Sequence, residues 1–309
     1  MSCRRLYATS LQAILILAAS HAYAGGPISP DSDIVGIKLS MTRDQAKQLI
    51  QQQFGTTDFP AKTMKFGMPE YNRDIVLGFT GEITSATDKQ ANQTRMDAQR
   101  KAAVAMGCNS PLCMPVADGL IKDTISVYVD PTAGSSGILA LVRKTEYPQN
   151  SDMLESVFLQ SLADKFGKPF FNDNYHGYYW ADGIPYSDRI NYLNNADFVE
   201  CSRFADNVAD LPAQFTAIMN AFASNSMNGY GKLRTKLPKC SMYLKVSLSS
   251  GPKPGGDYNT RYVRGFTMAL VNVRSAYGAL SAYANDFWSA ATKTQQDKSS
   301  TQSQNKPKL

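Results

Sequence analysis

Residues 41–55 read MTRDQAKQLIQQQFG and residues 152–169 read DMLESVFLQSLADKFGKP; the fold class follows from these two stretches and from what comes after each. In the first, Thr42 precedes Gln45 by three residues, the reciprocal spacing of a capping box, and Met41 is placed to staple onto Ala46. Ala46, Leu49, Ile50 and Phe54 then share one helical face, and Gly55 offers a left-handed exit. The second stretch predicts the same plan. Asp152 reads as the cap with Glu155 as its reciprocal carboxylate, Leu154, Phe158, Leu162 and Phe166 recur every four residues, and Gly167-Lys168-Pro169 stops the helix. Both helices end in Phe-Gly.

Strand-like runs follow each helix. After the first come DIVLGFT (74–80), TISVYVD (124–130) and GILALVRK (137–144), the last two joined by a turn-rich link that predicts a hairpin. After the second come YHGYYW (175–180), SMYLKVSL (241–248) and YVRGFTMALVNV (262–273), with GPKPGGD (251–257) linking the last pair. Met242, Leu244, Val246 and Leu248 alternate with period two, so one face of that strand is buried. Strands with few intervening helices predict an α+β fold in which helices pack on an antiparallel sheet, rather than alternating βα units. The repeated order predicts two related halves, residues 25–150 and 151–291, divided near residues 148–151.

Three further helices are read. Residues 84–106 are rich in Ala, Gln and Lys and predict a polar surface helix. Residues 210–223 carry Pro212 near the start, with Phe215, Ile218, Met219 and Phe222 at helical spacing, and predict a packing helix. Residues 275–291 place Tyr277, Leu280, Ala284, Phe287, Trp288 and Ala291 along one face. That stripe reads as a helix closing the core; its sharper reading is a partner- or membrane-facing surface. Residues 292–309 are Gln-, Ser- and Lys-rich and read as a disordered basic tail, with weak membrane-surface contact as one role for it.

The first 24 residues read as a signal peptide: Arg4 and Arg5, an apolar run from Leu11 to Ala19, then Ala22-Tyr23-Ala24, with cleavage expected after Ala24. No later run is apolar enough to span a bilayer, so a periplasmic or secreted location is expected, with no transmembrane segment after signal cleavage. Net charge is +6 over the whole chain. Removing Arg4 and Arg5 leaves +4, and the tail's four lysines against Asp297 hold three more, so the folded body stands near +1. A nucleic-acid partner, which would need a concentrated basic patch on the folded part, is not expected. Four cysteines remain after cleavage: Cys108, Cys113, Cys201 and Cys240. An even number in an oxidising compartment predicts two disulfides with three possible pairings. The short loop CNSPLC (108–113) closing on itself would leave Cys201 with Cys240.

The opening IVGIKLSMT (34–42) and the capped helix after it resemble the start of uncharacterised secreted bacterial proteins of the superfamily of the β-lactamase inhibitor protein and the small lipoprotein of the outer-membrane β-barrel assembly machine. KFGKP (165–169) resembles a second motif of such proteins. Ser40 stands where the family has glycine, and no lipobox cysteine is present. The resemblance implies a helix-plus-sheet module whose relatives mostly bind other proteins. In physical terms Gly36 permits an unusual turn, Leu39 and Met41 cover the core, and Thr42 caps.

His176 is the one histidine after cleavage, among Tyr175, Tyr178, Tyr179 and Trp180. As a general base it would need Asp173 or Asp182, yet no nucleophile elbow accompanies it, so it reads as a strand residue. Alternation puts Tyr175, Gly177 and Tyr179 on one side and His176, Tyr178 and Trp180 on the other; aromatic strands mostly pack. If this strand binds anything, Tyr175, His176, Tyr178, Tyr179 and Trp180, with Tyr186 in the loop after it, are the candidate residues. Asn172-Asp173-Asn174 fails the spacing of a calcium loop, and GYGK (229–232) that of a phosphate loop. No residue is assigned a catalytic role, and no cofactor or metal is expected. The expected function is a non-catalytic module binding a protein partner in the cell envelope or outside the cell, as an inhibitor or envelope-assembly factor. The alternative is a secreted hydrolase or carbohydrate-binding protein using the 175–180 strand.

Overall fold

The computed structural model describes residues 28–65, 74–107, 120–132, 137–148, 151–173, 177–184, 196–224 and 237–304. Cys108 and Cys113, the signal segment, and Tyr175, His176 and Tyr186 lie outside the described residues. In chain order the elements are β1 (Asp33–Ile34), β2 (Ile37–Lys38), α1 (Arg43–Phe54), β3 (Ala61–Lys65), β4 (Asp74–Glu82), α2 (Ala86–Ala105), β5 (Lys122–Val129), β6 (Ile138–Glu146), α3 (Glu155–Phe166), β7 (Phe171–Asn172), β8 (Gly177–Ala181), α4 (Ala196–Ala209), α5 (Leu211–Ser224), β9 (Met242–Gly251), β10 (Tyr262–Asn272) and α6 (Val273–Gln304).

Beyond the small β1–β2 hairpin, the strands form one eight-stranded sheet in the order β3-β4-β5-β6-β10-β9-β8-β7, antiparallel throughout. Each half supplies a four-stranded meander with its helical insertion at the same place: α2 between β4 and β5, α4 and α5 between β8 and β9. The last strands of the two meanders pair at the centre, with Arg143 opposite Met268. The residue capping α1, Thr42, bridges to Gly137 just before β6, and the residue capping α3, Leu154, bridges to Tyr262 at the start of β10. The halves are therefore arranged about an approximate twofold normal to the sheet.

Alternation assigns the two faces. Met242, Leu244, Val246 and Leu248 are buried with α1 and α3, whereas Tyr243 between them is buried with α4, α5 and α6. The period-two expectation holds, and the other face is covered as well. Each fully buried Leu, Ile or Phe here adds roughly 1.5–3 kcal/mol relative to exposure. The α1 capping box forms as read: Gln45 N–H donates to Thr42 Oγ1 (3.2 Å), Thr42 N–H donates to Gln45 Oε1 (2.8 Å), and Gly55 exits left-handed. The β1–β2 turn places Val35 and Gly36 both at positive φ, as a two-residue hairpin loop requires. Gly36 takes this freely, but for Val35 the left-handed region costs about 1–2 kcal/mol. Asp33 Oδ1 accepts the Gly36 N–H (2.8 Å), and Ile34 and Ile37 are buried on either side. At Gly78 a Cβ would lie 2.1 Å from the Val127 carbonyl oxygen, so the β4–β5 pairing admits no side chain there.

Two expectations need correction, and one choice between readings is decided. Asp152 does not cap α3: the N-cap is Leu154, without a side-chain hydrogen bond, and Asp152 pairs with Lys253 instead. The stripe on α6 closes the core as read, with Leu280, Ala284 and Phe287 buried against α5 and the sheet, and its sharper reading as a partner- or membrane-facing surface is set aside. The tail read as disordered from residue 292 is helical through Gln304, continuing α6 without a break. Nothing interrupts the i→i+4 bonding there, and Thr292 and Thr294 hydroxyls donate to the carbonyls of Trp288 and Ala290 (2.9 and 3.1 Å).

Cys201 on α4 and Cys240 before β9 are both fully buried and joined as a disulfide, with Cα atoms 6.0 Å apart.

Candidate functional site

The three described residues of the aromatic strand are turned into the two cores. Trp180 is 5% exposed beside Phe166, and its Nε1 donates to the Gly167 carbonyl (3.0 Å). Tyr179 packs edge-on to Phe198 and donates its hydroxyl to Asp173 Oδ2 (2.8 Å). Tyr178 lies on the α3 face, half-buried, and its phenol is pushed up by burial and by the nearby Glu155 carboxylate, against Arg261. The alternation read for these three residues is the one found. Their side chains do not form an open aromatic ledge of the kind on which a sugar would stack.

Tyr178 leads to a surface the residue pattern alone did not single out. Glu155, the first residue of α3, accepts from Arg261 Nε (2.8 Å) and Ser250 Oγ (2.6 Å), and Arg261 Nη2 donates to Ser250 Oγ (2.9 Å) and its carbonyl (3.1 Å). The backbone is tied at the same place: Glu155 N–H donates to the Arg261 carbonyl (3.0 Å) and Val263 N–H to that of Met153 (2.8 Å). Lys253 pairs with Asp152 and lies over the Tyr262 ring. The start of α3 is thus clamped to the β9–β10 loop, residues 252–261.

This clamped turn exposes apolar side chains. Met153 and Leu154 are each 37% exposed, Val157 is 57% exposed, and Tyr258 in the loop is 86% exposed. The matching order of elements in the two halves supplies the comparison. In α1 the N-cap and third helical positions are Thr42 and Gln45, the capping box; in α3 the same positions are Leu154 and Val157. One half satisfies its first-turn N–H groups with side chains, and the other leaves them without a side-chain cap while placing two apolar groups in water. A missing cap costs about 1 kcal/mol. The signal was present in the sequence as a mismatch between the aligned turns, but Asp152 two residues earlier offered an equally plausible cap.

The loop has its own device. Asp257 accepts from the Asn259 N–H (3.0 Å) and the Thr260 hydroxyl (2.9 Å), and these donors hold its carboxyl below the usual value of 3.8. Because the folded form prefers the carboxylate, the stabilisation is fully present above that value and is lost as pH falls through the depressed one. An NMR titration following the Asn259 amide should give a midpoint below 3.8; a midpoint at or above it would show that the loop gains nothing from the charge.

On the opposite face an open groove of about 430 Å³ runs along α4, lined by Phe198, Ser202, Arg203, Asp206 and Asn207 among others. Lys245 Nζ donates to both Asp206 carboxylate oxygens (3.0 and 3.1 Å), yet burial raises the Asp206 pKa against that pairing. The buried Tyr243 hydroxyl makes no hydrogen bond, and burial with Asp206 nearby drives its pKa well up. These groups bring no nucleophile to a base. Among the described residues no three His, Cys, Asp or Glu side chains are grouped to hold a metal, and no helix is long and apolar enough to cross a membrane.

The fold and site define an α+β protein of two topologically matching halves, with a disulfide and a hydrogen-bonded apolar turn on one of its two corresponding helices. No protein-family model, curated protein or solved structure matches the chain.

Proposed function

We propose that the chain is an exported, non-catalytic protein-binding module that docks a partner on the first turn of α3, with the β9–β10 loop as the rim. The observation that carries this reading is the exchange of the Thr42/Gln45 capping box for exposed Leu154 and Val157 at the matching place in the second half. A solvent-facing turn gains nothing by itself from that exchange, whereas a turn covered by a partner gains apolar burial. The clamp by Glu155 and Arg261 lowers the ordering cost of binding. The Cys201–Cys240 disulfide supports an oxidising location outside the cytoplasm, and the resemblance carried by residues 34–42 and 165–169 supports a binding rather than a catalytic role. An inhibitor or an envelope-assembly factor both fit.

The test copies the first half onto the second. Leu154→Thr with Val157→Gln rebuilds the capping box on α3, so the variant should be more stable by about 1 kcal/mol, roughly 2 °C in melting temperature. It should also lose the partner that crosslinks to the wild-type chain in its own cell envelope. A stabilised variant that keeps the crosslink would remove the α3 turn from the binding surface.

A further inference from the structure

We draw no further inference here: the strongest candidate, the open groove along α4 from Phe198 to Gln214, carries nothing, because Asp206 in its wall is already paired with Lys245 within the chain and nothing in the structure shows what covers the groove.

Discussion

Replacing Cys201 and Cys240 together by alanine should lower stability by about 4 kcal/mol, the chain-entropy value for a closed loop of this length. The two cysteines are 39 residues apart, and the loop they close contains most of α4, all of α5 and the segment leading to β9. Without the link the unfolded chain gains the freedom of that loop, and α4 keeps its packing of Phe198, Phe204 and Val208 and its ion pairs from Asp197 to Lys239 and from Asp206 to Lys245. Urea unfolding of the double variant against wild type should show a lower midpoint and a slope no shallower than wild type, because the uncrosslinked denatured chain exposes more surface. An unchanged midpoint would mean that the α4–α5 unit is held wholly by its core contacts and ion pairs. Substituting the pair, rather than adding reductant, keeps the effect separate from Cys108 and Cys113.

Asp123→Ala should cost about 3–5 kcal/mol, the penalty for stranding one member of a buried ion pair. The Asp123 side chain is 10% exposed and takes Arg143 in two-pronged fashion, Nε at 3.0 Å and Nη2 at 2.5 Å, with the Thr145 hydroxyl donating at 2.9 Å. The Thr84 hydroxyl meanwhile accepts the Asp123 N–H (3.3 Å), joining the end of β4 to the start of β5. Arg143 lies over the Phe266 ring in the central strand pair, so its orphaned charge would sit at the seam between the halves. Asp123→Leu with Arg143→Met removes both charges and should recover most of the loss, because apolar replacements of a whole buried pair are often neutral. Thermal unfolding of the single and double variants checks this; equal losses in both would show that the hydrogen bond from the Thr145 hydroxyl matters more than the charge pair.

Local patterns accounted for much of the architecture. The capping box of α1, the strands around residues 74–82, 122–129, 138–146, 242–251 and 262–272, the helix from Leu211 and the core stripe of α6 are set by residues within one or two turns of each other. Periodicity reports such local facts directly. Beyond the two-residue strands β1, β2 and β7, two elements went unread for different reasons. In β3, Ala61–Lys65, too few apolar residues reveal the alternation. In α4, Phe198, Cys201, Phe204, Ala205 and Val208 form a clear stripe, visible once Cys201 counts as an apolar residue as well as a disulfide partner.

By itself the sequence determined the α+β class, the repeated order of helix and strands, the two-faced burial along the 177–181 strand and the availability of Cys201 for Cys240. Only the tertiary structure decided that the two meanders share one sheet, because β6 and β10 meet through backbone bonds that leave no mark on residue type. The start of α3 was decided the same way. Glu155 had two uses, as a reciprocal cap for its own helix or as the anchor for Arg261, and a partner 106 residues away outcompeted the local one. Arg261 and Ser250 bring charge-assisted donors that a lone backbone N–H at a helix end does not match. With the carboxylate drawn inward, Leu154 and Val157 were left facing out, and the candidate site is the consequence of that long-range choice.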